Sequence, residues 1–143
     1  MIAREPIYAA LFALLAPIPG LATASRRLQH WTDVPASAQP ALFQVQKGET
    51  VAARHGLPPK HQLSVELFLY AQTGGDPTVA PAQILSPLID AIEAALAPTD
   101  PTDAVQTLGG LVSHAWIEGR IETDEGVLGD QAVAIIPVTL LVP

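Results

Sequence analysis

"KHQLSVELFLYAQ", Lys60 to Gln72, is the stretch on which the fold turns. Leu63, Val65, Leu67 and Leu69 alternate with Ser64, Glu66, Phe68 and Tyr70, a period of two that turns one set of side chains toward a core and the other to the opposite face of a strand. Upstream, "ALFQVQ", Ala41 to Gln46, reads as a short strand that carries Leu42, with Phe43 as a second candidate, into the core. Between them lies "KGETVAARHGLPP", Lys47 to Pro59, expected as an extended loop 47–59 with Gly48, Gly56 and a proline pair at its margins. Simple hairpin connections run to about two to five residues, and a longer one is commonly functional. Lys47, Arg54 and His55 supply cationic donors there and Leu57 an apolar contact, so these four are candidate partner-contact residues.

Moving outward, Ile84, Leu85, Leu88, Ile89, Ile92 and Leu96 recur at helical spacing and form one apolar stripe. Ser86-Pro87 fits an N-cap followed by a first-turn proline, so the regular helix is expected to start there, and Pro98 to end it. Leu111 to Glu122 and Gln131 to Val142 read as two further strands joined across "TDEGVLGD". The last of them is apolar on both faces, which calls for cover on both sides. Its Pro137 cannot donate to a ladder, which predicts an edge position or a bulge. Leu21 to Gln29 reads as one more strand, and "HWTDVPASAQP", His30 to Pro40, as a loop.

The amino-terminal "IYAALFALLAPIPGLATAS", Ile7 to Ser25, poses a choice between an export signal and a folded helix. Glu5 cancels Arg4, which removes the positive charge that orients a signal, and Pro17, Pro19 and Gly20 break the apolar run. The reading that follows is a helix over Glu5 to Leu15 packed through Ile7, Leu11, Leu14 and Leu15. That run is also shorter than the 20 or so residues a bilayer span needs, so no membrane is expected among the partners. The order helix, three strands, helix, two strands makes an α+β fold with a mostly antiparallel sheet of about five strands packed with two main helices, in a single domain over 1–143.

Composition narrows the function. The chain has 143 residues and no cysteine, which excludes disulfides, thiolate zinc sites and cysteine nucleophiles. It is 49% hydrophobic with only 15% charged residues, a surplus of apolar surface that other subunits would bury. The net charge of -7 argues against tight nucleic-acid binding. Its distribution is uneven: residues 1–60 balance to +3 and residues 61–143, with Arg120 as their lone cation, to -10. That split suits an oligomer in which a basic patch on one copy meets an acidic patch on the next, with Arg26 and Arg27 set against Asp124 and Glu125 as candidate oligomer contacts.

No chemistry is advertised. His30, His55, His61 and His114 lack metal-ligand spacing, no phosphate-binding glycine pattern occurs, and Asp124-Glu125-Gly126 lacks the spacing of a calcium loop. Catalytic, cofactor and metal sites are therefore all expected to be absent. Trp31 and Trp116 are read as core or interface anchors.

Taken together, "REPIYAALFALL", "SRRLQHW", "PALFQVQKGE", "LSVELFLYAQT", "LSPLIDAIEAAL", "TLGGLV", "IEGRIETDEG" and "DQAVAIIPVTLLV" resemble tail proteins of long-tailed bacteriophages, and among them the tail terminator, or minor tail protein U-like, family. The resemblance covers nearly the whole chain and rests on element order and phrase-like similarity. It implies an α+β protomer that forms a homohexameric ring on the finished tail tube, stops polymerisation and offers a surface to the head connector. The implied partners are the tail tube protein and a head-connector or neck protein, on one of which the 47–59 segment would dock, with DNA passing through the lumen without specific binding. The implied location is the virion tail, after synthesis in the host cytoplasm. Tube and neck-completion proteins share the same plan, and a small secreted ligand-binding domain is the rival from another class.

Overall fold

A computed structural model of the chain describes residues 2–74, 77–99, 102–125 and 129–143. Helix α1 spans Arg4–Leu15 and helix α2 spans Ala82–Ala95. Among the described residues six strands form one sheet: β1 (Thr23–Ser25), β2 (Ala41–Arg54), β3 (Leu57–Gln72), β4 (His114–Ile117), β5 (Glu122–Asp124) and β6 (Gln131–Val142). The strand order is β1-β2-β3-β6-β4, and β5 pairs with β6 beside β4. Every pairing is antiparallel except β1 with β2. The α+β class, the two helices and the mostly antiparallel sheet agree with the sequence reading.

Strand β3 sits at the centre, and its alternation does what the sequence says. Leu63, Val65, Leu67 and Leu69 are each at most 1% exposed and face the main core. Ala132, Ala134, Ile136, Val138 and Leu140 of β6 join them on that face, as does Leu42 of β2. Both helices cover it. Helix α1 buries Ile7, Tyr8, Leu11 and Leu15, with Leu14 half-buried beside them; helix α2 buries Leu85 and Ile92. Pro6 falls in the first turn of α1, where its missing N–H costs nothing, and Pro17 follows its end. Gln44 is a buried polar residue of this face, and its amide nitrogen donates to the Tyr8 carbonyl at 2.9 Å, tying β2 to α1.

The opposite face has partial cover. Parallel pairing of β1 with β2 obliges the chain between them to cross back over the sheet. Residues 26–40 do so in two 3-10 turns, Trp31–Asp33 and Ala36–Ala38, which lay Val34, Trp31 and Ala38 over Phe43, Tyr70 and Phe68. Leu42 and Phe43 thus serve opposite faces, as consecutive strand residues must.

Several elements depart from expectation. The loop expected over 47–59 is strand: β2 continues to Arg54 and β3 begins at Leu57, with a turn at His55-Gly56. Gly48, at φ +141°, lies at a bulge between the Gln46 and Gly48 pairs, and Gly56, at φ +72°, makes the turn. Pro58 and Pro59 fall where the register shifts, beyond the reach of β6, so their missing donors leave no ladder bond unmade on that side. The strand expected over Leu21 to Gln29 shrinks to Thr23–Ser25, because only those residues lie along β2. Helix α2 begins at Ala82, so Pro87 lies inside it. The strand expected over Leu111 to Glu122 is two short ones, β4 and β5. Residues 126–128 of the connection to β6 lie outside the described residues.

That interruption explains Pro137. Strand β6 is interior, flanked by β3 on one side and by β4 and β5 on the other, so the expected edge position is overturned. The Glu118 amide donates to the Pro137 carbonyl at 3.2 Å, which turns the proline nitrogen toward the same neighbour. β4 ends at Ile117 and β5 starts at Glu122, so the missing N–H faces the gap between them. Gly119 crosses that gap against the ring, where an added Cβ would stand 3.5 Å from Pro137 Cγ.

Candidate assembly surfaces

Three surfaces carry the charged and apolar features that the sequence singles out. The first is the end of the β2–β3 hairpin. Strand β6 accompanies β3 only as far as the His61–Val142 pair, and His61 is paired with Val51, so residues 52–60 form a two-stranded arm beyond the sheet. At a strand rise of about 3.3 Å per residue the arm is roughly 13 Å long. Residues 50–59 are all exposed, Val51 at 52% and Leu57 at 59% among them. Arg54 donates from Nε and Nη2 to the Pro58 carbonyl at 3.0 and 2.7 Å, which stiffens the tip across the turn. Among the described residues neither Arg54 nor Lys60 meets a carboxylate. Lys47, at the bulge, stands 4.0 Å from Glu66, a loose surface pair. Lys47 therefore lies at the root, with Arg54, His55 and Leu57 together at the tip.

The root of the arm is fastened to α1. Glu49 receives both Arg4 Nε and Arg4 Nη2 at 2.7 Å, one on each carboxylate oxygen, and His61 Nδ1 donates to Glu49 Oε2 at 2.8 Å. The bidentate Arg4 guanidinium, helped by His61, holds the Glu49 carboxyl down at about 2. Sequence reading missed this cluster. Glu49 and His61 become neighbours only if His55-Gly56 is read as a turn, and Arg4 comes from another element altogether.

The second surface is the β1 edge. Arg26 pairs within the protomer to Glu5 of the α1 first turn, with its Nη2 3.3 Å from Glu5 Oε2. The Arg26 guanidinium holds the Glu5 carboxyl below its usual range. Arg27 is exposed beside it and uses its backbone N–H on Ser25 Oγ at 3.0 Å.

The third surface is the corner made by β5 and β6 at the far edge of the sheet, so Arg26 and Arg27 lie at one edge of the protomer and Asp124 and Glu125 at the other. Glu122, Thr123, Asp124, Val133 and Ile135 line a hollow of ≈ 310 Å³ there. Glu122 is paired with Ile135 and Asp124 with Val133 across the strands, so acids form its rim and apolar side chains its floor. Glu118, Glu125 and Asp130 lie nearby in sequence, against Arg120.

A further hollow of ≈ 370 Å³ lies between the end of α2 and β4, where His114 and Trp116 stack with ring centroids 4.8 Å apart. His114 Nδ1 accepts from the Gln106 N–H at 3.1 Å, which fixes the ring as part of the structure. Among the described residues no group of three His, Cys, Asp or Glu side chains could hold a metal ion, and no helix is long and apolar enough to cross a membrane.

Comparison with known proteins finds likeness in fold alone. No family model matches the chain, and no curated protein sequence matches it. Among solved structures it is similar to a chain from the virion of a native gene transfer agent particle, with a TM-score of 0.57 at 12% identity over 95% of this chain and 93% of that one. It is also similar to a second solved chain of no stated function, with a TM-score of 0.53 at 17% identity over 100% and 97%. The chain shares, from end to end, a fold used in a virion.

Proposed function

We propose that this chain is a structural protein of a phage-like particle, and that it acts as a tail terminator: a homohexameric ring on the tail tube that ends tube growth and presents a surface to the head connector or neck. The end-to-end likeness to a gene transfer agent virion chain carries the reading. The tail-terminator resemblance of the sequence narrows it. In this reading the protein is non-catalytic, sits in the virion tail after synthesis in the host cytoplasm, and needs no cofactor.

The protomer's surfaces fit such a role. A ring is a heterologous assembly in which two different patches of each copy meet, and a chain with its cationic and acidic patches at separate ends of one sheet suits that arrangement. The acidic surplus suits a lumen through which DNA slides without sticking. Light scattering with negative-stain imaging of the purified protein tests the reading. Six-fold rings are the expected result; a protein that stays monomeric alone and on tail tubes overturns it.

A further inference from the structure

We propose that the β2–β3 arm docks into the acid-rimmed hollow of a second copy of this chain, so that the arm is the clasp between protomers and not the element that grips the tube. The proposal rests on the ring reading above and names which surfaces meet.

Three observations support it. The first is complementary chemistry. The arm offers an exposed apolar side chain, Leu57, with Arg54 beside it at the tip and Lys60 nearer the root; among the described residues neither cation meets a carboxylate, and residues 50–60 contain no acid. The hollow offers the opposite charge around an apolar floor, with Val133 and Ile135 as floor and Glu122 and Asp124 as rim. Burying an apolar knob draws the opposite charges together, and those charges steer the approach.

The second observation is the state of the rival cation. Arg26 is already engaged by Glu5 inside its own protomer. The β1 edge therefore presents Arg27 alone, whereas the arm presents Arg54 and Lys60 together with Leu57.

The third is direction. Ile135, in the hollow, is in register with Phe68, whereas the arm departs from β3 at His61. Those positions lie roughly 24 Å apart along the strand. The arm points away from that end, so it cannot reach its own hollow. A protrusion at one end and a matching hollow toward the other make a head-to-tail contact, which closes into a ring or runs on as a filament.

The chain has no cysteine, which makes the test clean. A Leu57→Cys, Glu122→Cys variant, oxidised after purification, is expected to give a ladder of covalent oligomers up to the closed ring, while each single variant gives dimers at most. Charge exchange supplies the second arm: Arg54→Glu should lose the oligomer at concentrations where the parent is assembled, and Arg54→Glu with Glu122→Lys should regain it. Oligomers that form in light scattering but yield no ladder, and that ignore both charge changes, overturn the clasp and return the arm to a tube or neck partner. A ladder without six-fold images keeps the clasp and removes the hexamer. No oligomer in solution or on tail tubes removes both.

Discussion

The two halves of the β2–β3 hairpin are one continuous ladder held by different forces. Between Leu63 and Leu69 every second side chain lies under α1 and α2, and burial of those leucines and valine accounts for the strand. Between Thr50 and Pro59 every residue is exposed, and backbone pairing with the Arg54–Pro58 contact is what the arm has. A free two-stranded hairpin is marginal in water. This one continues out of a packed sheet and is fastened at its root through Glu49, so most of the ordering is done before the arm begins. Alternating hydrophobicity in a sequence therefore reports burial on one face. Strand itself can persist where that pattern is silent.

The contrast is broken most completely by removing cover from the packed half. Deleting residues 1–15 strips Ile7, Tyr8, Leu11 and Leu15 from the core, each contributing about 1.5–3 kcal/mol. Against a total stability of about 5–15 kcal/mol, the truncated protein should be unfolded or insoluble. A folded, soluble product by circular dichroism would show that α1 is dispensable. Next in size, Leu67→Ala leaves a cavity at the centre of β3 and should cost about 2–5 kcal/mol in urea unfolding.

The junction between the halves responds to acid. The Glu49 carboxyl is held near 2, below the ordinary carboxylate value of 4.5, so its folded state prefers the charged form. The stability this supplies is complete above pH 4.5 and is lost as pH falls through 2. Glu5, depressed by Arg26, acts in the same direction. The urea midpoint should therefore fall on acidification across that window, and Glu49→Gln should flatten the fall. An unchanged acid slope in Glu49→Gln would remove the clamp from the account.

The arm itself should be nearly silent in stability. Replacing residues 52–60 with Asn-Gly, a pair suited to a two-residue hairpin turn, should leave the unfolding free energy from urea titration within about 1 kcal/mol of the parent. It should abolish the oligomer in light scattering. Leu57→Ser, the smallest change, should move stability by no more than about 0.5 kcal/mol while still weakening assembly. A large loss of stability in either variant would mean that the arm supports the fold and would end the contrast.

The parts of the fold that were legible in sequence were those with a periodic apolar face: β3, β6, α1 and the stripe of α2. The arm was not, because Lys47, Arg54 and the Pro58-Pro59 pair look like turn chemistry when no side chain has a core to face. Pro137 misled for a related reason. A proline signals a place without a ladder partner, and an edge is one such place; a gap between two short neighbours is another. Among the assembly surfaces, the exposed cations of the arm and the acidic corner were legible one by one. Their positions at different ends of the sheet, and the engagement of Arg26 by Glu5, depend on the three-dimensional course of the chain and carry no local signal.

The fastening of Arg4 and His61 to Glu49 has a mechanical consequence. A stiff projection is only as well aimed as its pivot, and an angular play of a few degrees at the base would swing a tip roughly 13 Å away by about an ångström. The carboxylate is gripped from two sides, by the guanidinium of α1 and by the imidazole of β3, so the pivot is braced against bending toward or away from the helix layer. A load applied at Leu57 would pass along the ladder to the Glu49 contact with α1, whose other face is buried in the core.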